Sequence, residues 1–221
     1  MKGYFISFEG GEGSGKSTQI ETLGKWLNTL VGGPSSLITR EPGGTGSAEA
    51  IRDLLVKGAA DKWRPATEAL LMSASRHEHV EGVLRPALDA GTVVLSDRYN
   101  DSTRVYQGLV GGVPSADIES LNQIACGDLE PDLTLLLDMD VETGLTRAGG
   151  RDSDESRFES KGLDFHEKVR KAFLSLAGQY PARFVVVDAS RSPDAIAADI
   201  RHTVSKRLTA AGLLDGVDIN D

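Results

Sequence analysis

The amino-acid sequence predicts an α/β fold in which helices flank a five-stranded, mostly parallel sheet. Five short apolar runs alternate with helical patterns, the order that produces parallel strands with both faces buried. A glycine-rich segment joins the first run to the first helical pattern. The 221 residues, 39% hydrophobic and 26% charged, suit one globular domain with an ample core, or at most two small ones. We expect a single domain over residues 1–221.

The apolar runs mark the predicted strands, and proline and glycine mark the limits of the longest helix. The strands are predicted at residues 4–8, 36–39, 92–96, 133–137 and 184–187. The longest helical pattern runs from about Pro65 to Ala90, since proline suits a first turn and Gly91 suits a stop. Pro86 predicts a kink or break there, because proline lacks an amide hydrogen. The acidic tail, residues 213–221, is expected to fray.

The segment between the first strand and the first helix fits the phosphate-loop pattern G-x-x-x-x-G-K-[ST]. Its glycines let backbone amides converge on phosphate oxygens, at the positive N-terminal end of the new helix. We expect Lys16 to reach the terminal phosphates and Ser17 to hold Mg²⁺. The segment therefore predicts a P-loop fold with a nucleoside-triphosphate site. The predicted triphosphate-binding residues are Gly10, Gly11, Glu12, Gly13, Ser14, Gly15, Lys16, Ser17 and Thr18.

Charged residues at the carboxyl ends of the other strands are further candidates, because ligands of a parallel sheet bind there. Asp97, at the end of the third strand, suits a second Mg²⁺ partner beside Ser17; the alternative is a helix N-cap. Arg40 and Arg98 suit forked contacts with a second phosphate group; the alternative is a pair of surface ion pairs. Two phosphate-binding sets at one edge indicate phosphoryl transfer between two phosphorylated molecules.

Composition bounds the partners and the compartment. A formal net charge of −9 argues against a general affinity for nucleic acid or anionic lipid. The single cysteine, Cys126, allows no internal disulfide, suits a reducing compartment and is read as a small buried residue. The sequence also shows no signal segment and no apolar run of membrane-spanning length. We expect a cytoplasmic protein without nucleic-acid or membrane partners.

Three further segments, together with the phosphate loop, resemble the thymidylate kinase family. They are Arg-Glu-Pro-Gly-Gly-Thr at 40–45, Asp-Arg-Tyr at 97–99 and Ser-Thr-Arg-Val-Tyr-Gln-Gly at 102–108. The likeness extends from the first strand to the last helix. It implies a P-loop fold like that of nucleoside monophosphate kinases and transfer of the γ-phosphate of ATP to dTMP, with Mg²⁺. It also implies a homodimer packed through helices.

The resemblance implies roles at the phosphate and sugar of dTMP. Arg40 and Arg98 would hold the phosphate, and Glu12 would accept a hydrogen bond from the deoxyribose 3′-hydroxyl. Tyr106 would crowd the 2′ position and so disfavour a ribonucleotide. The implied substrate-binding residues are Glu12, Arg40, Met72, Arg76, Arg98, Ser102, Tyr106 and Gln107.

At the base, the resemblance implies that Arg76 donates to a thymine carbonyl and that Gln107 borders the ring. Met72 stands where most relatives place a phenylalanine that stacks on thymine, so the selectivity for thymine is open. Met72 and Arg76 lie four residues apart on one helix face, as do Ser102 and Tyr106. The alternative for Met72 and Tyr106 is ordinary helix core.

The polar segment 149–162 is expected to be a mobile lid between two helices. In one subgroup of the family, an arginine at the position of Gly13 touches the transferring phosphoryl group, so here the lid would supply that charge. Arg151 and Arg157 are the candidates and Arg147 is the third choice; the alternative is a solvated loop of mixed charge. The predicted catalytic residues are Lys16, Arg98, Arg151 and Arg157.

Besides Met72, one more residue departs from the family, and two alternative functions stay open. Arg104 occupies a place that is usually neutral in the family and adds a charge near the substrate helix. His77 and His79 form no metal motif and are read as solvated helix residues. One alternative function is a kinase for a deoxynucleoside or a different monophosphate. The other is a nucleotide-dependent switch or regulatory ATPase, although the chain lacks the guanine-reading Asn-Lys-x-Asp motif.

Overall fold

The five predicted strands form one parallel sheet, each within two residues of its expected bounds. The structure, a computed structural model, describes residues 2–30, 32–149, 157–158 and 161–214. The strands are β1 Tyr4–Gly10, β2 Ser36–Arg40, β3 Val93–Asp97, β4 Leu133–Asp138 and β5 Phe184–Asp188. They pair in the order β2-β3-β1-β4-β5, and every pair is parallel. The predicted fold class is confirmed, and β1 lies at the centre of the sheet.

Helices connect and cover the strands. They are α1 Lys16–Leu27, α2 Gly46–Val56, α3 Pro65–His79, α4 Arg85–Asp89, α5 Asn100–Thr103, α6 Ser115–Cys126, α7 Val141–Ala148, α8 Leu163–Gln179 and α9 Pro193–Ala210. Side chains cap three of them: Thr45, Asp140 and Ser192 each accept a bond from a first-turn backbone amide. Such caps satisfy amides that have no partner inside the helix, and so fix where α2, α7 and α9 begin.

The long helix expected over residues 65–90 is interrupted as Pro86 predicts. It continues from α3 through a π-helical turn, Val80–Leu84, into α4. A proline ring clashes with the carbonyl four residues earlier and donates no hydrogen bond. Here that carbonyl belongs to Gly82, inside the wider π-helical turn. The turn therefore accommodates Pro86 without ending the helix.

The core lies on both faces of the sheet. On one face, Ile6 and Phe8 of β1 pack with apolar residues of α1 and α9. On the other, Phe5 packs with the end of α6 and the segment around α4, where Cys126 is buried as expected. Each fully buried large apolar side chain contributes about 1.5–3 kcal/mol. Burial on both faces explains why the strands read as continuous apolar runs.

The first two residues of the C-terminal tail contact the core. Leu214 is buried in the cluster formed by α1, α9 and the sheet, and Leu213 packs against the same cluster. The remainder of the tail, for which fraying stays a prediction, lies outside the described residues. No helix within the described ranges combines the length and apolarity needed to cross a membrane.

Candidate active site

The phosphate loop joins β1 to α1 in the conformation that its glycines allow. The backbone φ angle is +136° at Gly10, +69° at Gly13 and +88° at Gly15, values that residues other than glycine rarely adopt. Gly15 is the N-cap of α1, and Lys16 is its first residue. The loop amides thus surround the N-terminal end of a 12-residue helix, whose partial positive charge favours phosphate.

Two glycines bring the phosphate loop against α7, backbone to backbone. A Cβ atom on Gly13 would lie 1.9 Å from the carbonyl oxygen of Gly144, and one on Gly144 would lie 2.5 Å from the carbonyl oxygen of Glu12. Position 13 therefore has no room for a side chain, which is the physical reason why an arginine cannot stand there. Because α7 ends at Ala148, the loop directly contacts the helix that leads into the predicted lid.

Lys16 folds back over the loop. Its Nζ donates to the carbonyl oxygens of Gly11 at 2.9 Å and Gly10 at 3.2 Å. Burial lowers the pKa of the Lys16 amine, and the nearby Arg98 lowers it further. Charged phosphate oxygens would be stronger acceptors than these two carbonyls. The amine therefore lies where a triphosphate in the loop would attract it.

Ser17 and Asp97 meet at the edge of the loop. The Ser17 hydroxyl donates to Asp97 Oδ2 at 3.2 Å, although the two residues are 80 positions apart. Asp97 does not act as the helix N-cap that was its alternative, since Tyr99 occupies that position in α5. A hydroxyl and a carboxylate are the hard oxygen ligands that Mg²⁺ prefers, so the residues present fit this ion.

Arg98 has a left-handed backbone that directs its side chain at the phosphate loop. Its φ of +70° is the one positive value among the described non-glycine residues. Its amide donates to the Phe8 carbonyl at 3.0 Å, and its guanidinium donates to Glu12 at 2.8 Å and to Ser102 at 3.3 Å. Such a conformation costs about 1–3 kcal/mol and persists only when neighbours hold it. Conformations of this kind cluster at functional sites, which makes Arg98 a candidate for a functional role.

Arg40 is also engaged by a carboxylate. It lies at the end of β2, half exposed, and its guanidinium binds Glu49 at 3.1 Å. Arg40 and Arg98 line one cavity, and each has a glutamate partner, Glu49 and Glu12 respectively. An incoming phosphate would compete with these two carboxylates for the guanidinium groups.

Glu9, which sequence reasoning missed, supports this arrangement from β1. Its carboxyl accepts bonds from the Tyr99 amide at 2.9 Å and from the Ser102 hydroxyl at 2.7 Å. Burial raises the pKa of the Glu9 carboxyl to about 7, although the nearby Arg98 guanidinium opposes this shift. Only its place next to Gly10 could have indicated a role, and that position alone does not distinguish a core residue from a functional one.

At the far end of the cavity, Arg76 is held rigidly. Its guanidinium donates to Glu41 at 2.7 Å, to the Thr103 hydroxyl at 3.0 Å and to the Tyr99 carbonyl at 3.2 Å. Within the part of the chain that the structure describes, the buried Nη1 of Arg76 has no hydrogen-bond partner. Since a buried unpaired donor costs about 1–3 kcal/mol, this atom favours a polar ligand in the cavity.

His79 completes the support of Glu41, contrary to expectation. It is fully buried, with one ring nitrogen 3.0 Å from Glu41 and the other 2.7 Å from the Thr39 hydroxyl. The prediction of a solvated residue is wrong for His79, because its helix face turns toward β2 and not toward solvent. His77, by contrast, is exposed as expected, with a ring nitrogen 3.2 Å from the Ala125 carbonyl.

Met72, Tyr106 and Gln107 line the same cavity as Arg76. Gln107 donates to Glu68 at 2.9 Å, and the Arg98 guanidinium lies 5.3 Å from the centre of the Tyr106 ring. Tyr106 packs against Phe173 behind it, so the core alternative holds for part of this ring. Met72 and Tyr106 nevertheless both line the cavity, so neither residue is only helix core.

Arg157 does not line the cavity, although the next residue, Phe158, does, and the Arg157 guanidinium forms an ion pair with Glu68. It is buried, and it also donates to the carbonyl oxygens of Ala59 at 3.0 Å and Leu55 at 3.1 Å. The solvated loop that was its alternative is therefore wrong for Arg157. These contacts hold Arg157 against α2 and α3. Arg151 lies outside the described residues, as does most of the predicted lid.

Arg147, the third choice, lies on α7 beside the region after β5. Its guanidinium donates to the Ala189 carbonyl at 3.4 Å. Among the cavity residues to which sequence reasoning gave no role, Thr103 contacts Arg76, and Phe158 packs edge-on to Tyr106 at 5.9 Å. The others are Glu41, Pro42, Arg52, Val56 and Tyr99. Thr103 adjoins Ser102, so its place on the same short helix was the one available signal.

The cavity as a whole has a volume of about 430 Å³, and it extends from the phosphate loop to the residues around Arg76. The predicted site residues that line it are Glu12, Gly13, Ser14, Gly15, Lys16, Ser17, Thr18, Arg40, Met72, Arg76, Asp97, Arg98, Ser102, Tyr106 and Gln107. Gly10 and Gly11 belong to the loop but do not line the cavity, and their carbonyl oxygens accept hydrogen bonds from Lys16. A volume of this size suits a small organic ligand. One cavity thus connects a triphosphate loop with a second polar pocket.

This fold and this site define a P-loop kinase of the nucleoside monophosphate type. The family model described as thymidylate kinase matches residues 8–200. A thymidylate kinase of Caulobacter vibrioides is 52% identical over 207 residues, 94% of this chain and 98% of the relative. One of a Jannaschia species is 50% identical over 211 residues, 96% of this chain and 100% of the relative.

A solved structure agrees with these relatives. The crystal structure of thymidylate kinase from Ehrlichia chaffeensis superposes with a TM-score of 0.76 at 29% identity, covering 92% of this chain and all of that one. The chain belongs to the thymidylate kinase family. It is an enzyme that transfers a phosphoryl group from ATP to dTMP, giving dTDP. The alternative of a regulatory switch is therefore wrong.

Proposed function

We propose that the enzyme performs this transfer inside the 430 Å³ cavity, with the ATP phosphates at the phosphate loop and dTMP between Arg98 and Arg76. The unpartnered Nη1 of Arg76 carries the proposal, since a thymine carbonyl is the acceptor that it lacks. An assay of ADP formation with dTMP, dUMP, dCMP and thymidine tests it. Turnover that ignores dTMP, or that prefers thymidine, would contradict it.

In this reaction the protein has to align the two phosphate groups and neutralise their negative charge. The dTMP phosphate is itself the nucleophile and is already anionic, so no strong general base is needed. Arg40 and Arg98 would leave their glutamate partners to hold this phosphate in line with the donor. Lys16 would neutralise charge on the transferring group. Once Arg98 no longer binds it, Glu12 would accept a hydrogen bond from the 3′-hydroxyl of the sugar.

We propose Ser17 and Asp97 as the residues that hold Mg²⁺, directly or through water. Their oxygen atoms are 3.2 Å apart at the edge of the phosphate loop, and their chemistry matches this ion. When bound, Mg²⁺ neutralises negative charge on the donor phosphates. An Asp97→Asn variant whose apparent Mg²⁺ affinity equals that of the wild type would contradict the assignment.

The lid arginines are expected to have different roles. We propose Arg151 as the residue that contacts the transferring phosphoryl group, since Gly13 supplies no side chain and Glu68 occupies Arg157. Arg151→Ala should lower kcat much more than it weakens dTMP binding, because a lid residue contributes after closure. Steady-state kinetics with dTMP calorimetry measures both quantities, and a full kcat would exclude this role for Arg151.

Arg157→Ala is the matched comparison. Removing one partner of a buried ion pair costs about 3–5 kcal/mol, because the other charge is left unpaired. This variant should therefore lose thermal stability and raise the KM for dTMP. If it instead lost kcat with unchanged stability and KM, Arg157 would be the catalytic lid residue.

Met72→Phe is expected to tighten dTMP binding. A thioether lacks the flat surface that stacks on thymine, a difference of ~1 kcal/mol, or about fivefold in affinity. Discrimination against dCMP should sharpen and kcat should change little. Calorimetry of dTMP and dCMP binding to both proteins measures this. Weaker binding of both nucleotides would indicate an overpacked pocket, and unchanged binding would show that residue 72 does not face the base.

We propose that two copies of the chain associate through α2, α3 and α6. These helices pack side by side, and each exposes a large apolar side chain: Leu54, Leu70 and Ile124 respectively. Such a patch commonly marks a protein–protein interface. Sedimentation of the wild type and of Leu70→Lys tests the proposal. A monomeric wild type, or a variant that still dimerises, would contradict this interface.

We also propose a cytoplasmic location and a single kinase domain with residues 149–162 as its lid. The buried free thiol of Cys126 suits a reducing compartment. Cell fractionation tests the location. Limited proteolysis with and without nucleotides tests the lid, because ligands that close it should protect it from cleavage.

A further inference from the structure

The segment Asn100–Val110, here called the acceptor segment, has two polar sides. It consists of α5 and a seven-residue π-helical turn, Arg104–Val110. Its cavity side carries Ser102, Thr103, Tyr106 and Gln107. Asp101 and Arg104 point the other way, and their side chains are only 0% and 11% exposed. Two charged groups are thus buried behind the surface that binds dTMP.

Arg104 is surrounded by three carboxylates. It makes a forked contact with Glu119 at 2.9 and 2.8 Å and contacts with Glu130 at 2.8 and 3.1 Å. It also donates to Asp101 at 3.0 Å. Glu119 belongs to α6, and Glu130 lies between α6 and β4. The side chain therefore does not add charge to the substrate side, as its position in the sequence suggested, but ties the acceptor segment to α6.

A second arginine links the same segment to the central strand. Arg183, which precedes β5, donates to Asp101 at 3.0 Å and to the Thr134 hydroxyl of β4 at 2.7 Å. The Thr134 hydroxyl lies 2.9 Å from the Ser7 hydroxyl of β1. Ser7 is three residues before Gly10, so this chain of contacts ends at the strand that carries the phosphate loop.

Such a network fixes geometry more than it adds stability. Buried ion pairs contribute little net free energy, because their desolvation offsets their attraction. Runs of π-helix are rare and often occur at functional sites, so a seven-residue turn needs support from its surroundings. The network supplies forked contacts, with their narrow geometry, at the start of this turn.

We propose that Arg104 and Arg183 are positioning residues for dTMP: through Asp101, Glu119 and Glu130 they hold the acceptor segment in register with the phosphate loop. Neither arginine lines the cavity. This inference rests on the proposed location of dTMP, which the acceptor segment lines. A small displacement of the segment would move the dTMP-binding side chains relative to the ATP site, where about 1 Å can change rates 10²-fold.

Arg104→Gln and Arg104→Lys test the proposal. For Arg104→Gln we expect the Kd of dTMP, measured by calorimetry, to rise about tenfold while the KM for ATP stays unchanged. Arg104→Lys keeps the charge but loses the fork, and should restore part of the affinity. Arg85→Gln is the matched control, since it breaks an ion pair with Glu81 and a bond to the Cys126 carbonyl on a helix outside the cavity.

The outcomes separate this inference from the proposed dTMP site. If the wild type binds no dTMP, the site itself is wrong. If the wild type binds dTMP and Arg104→Gln binds it equally well, with only a lower melting temperature, Arg104 is merely structural and the proposal fails. Should Arg104→Gln not fold, Glu119→Gln tests the same contact at a half-exposed carboxylate. An unchanged Kd for dTMP in that variant would likewise overturn the proposal.

Discussion

Lys16→Ala is expected to lower kcat by about 10²-fold or more while the protein stays folded. Lys16 is the first residue of α1, where alanine is well tolerated, and its amine contacts the carbonyls of Gly10 and Gly11 inside the loop. The loss should appear mainly in kcat, because the role proposed for the amine is to neutralise charge that develops on the transferring group. Steady-state kinetics with circular dichroism measures both activity and folding.

Lys25→Ala is the matched control for this variant. Lys25 lies in the last turn of the same helix and is exposed, so its replacement removes a positive charge without touching the loop. Its kcat should equal that of the wild type. A folded Lys16→Ala protein with near-wild-type kcat would contradict the assignment of the phosphate loop as the ATP site.

Gly13→Ala is expected to be the most damaging single methyl group in the loop. The new Cβ would lie 1.9 Å from the Gly144 carbonyl oxygen, on a backbone with a φ of +69°. The left-handed conformation alone costs about 1–2 kcal/mol, and the collision must displace the loop or α7. We expect kcat/KM for ATP to fall about 10²-fold, as for other ångström-scale displacements, and the melting temperature to fall as well.

Gly11→Ala provides the comparison, because a Cβ there would meet nothing within 4 Å. It adds the same methyl group to the same loop without a collision, so it should lose much less activity than Gly13→Ala. Equal losses in the two variants would show that the loop tolerates no added side chain anywhere. The specific contact with Gly144 would then have no special importance.

The strands and the phosphate loop could be predicted from sequence because local patterns determine them. Strands buried on both faces read as apolar runs, and the loop has a fixed spacing of glycines before Lys16. The meeting of Ser17 and Asp97 followed from the rule that strand ends converge at one edge. In contrast, the roles of Met72 and Arg76 came from resemblance, since helical spacing alone shows a shared face and not a ligand.

What sequence reasoning missed depends on contacts between distant segments. His79 carries no local sign of burial, yet it meets Thr39 and Glu41, about 40 positions earlier. Arg157 lies in a polar stretch that resembles a solvated loop, but its partner Glu68 is 89 positions away. Periodicity reports which face of a helix is apolar. Periodicity does not show that a buried charged residue forms an ion pair with a residue far away in the sequence.

The contact between Gly13 and Gly144 also constrains how this enzyme can evolve. An arginine in the loop cannot be gained by one substitution, because position 13 has no space until α7 moves. A chain that moved α7 first would displace the helix before the proposed lid, residues 149–162, while the phosphate loop still lacked a replacement charge. If a lid arginine supplies that charge, as proposed above, we expect this arrangement to be hard to leave by stepwise mutation.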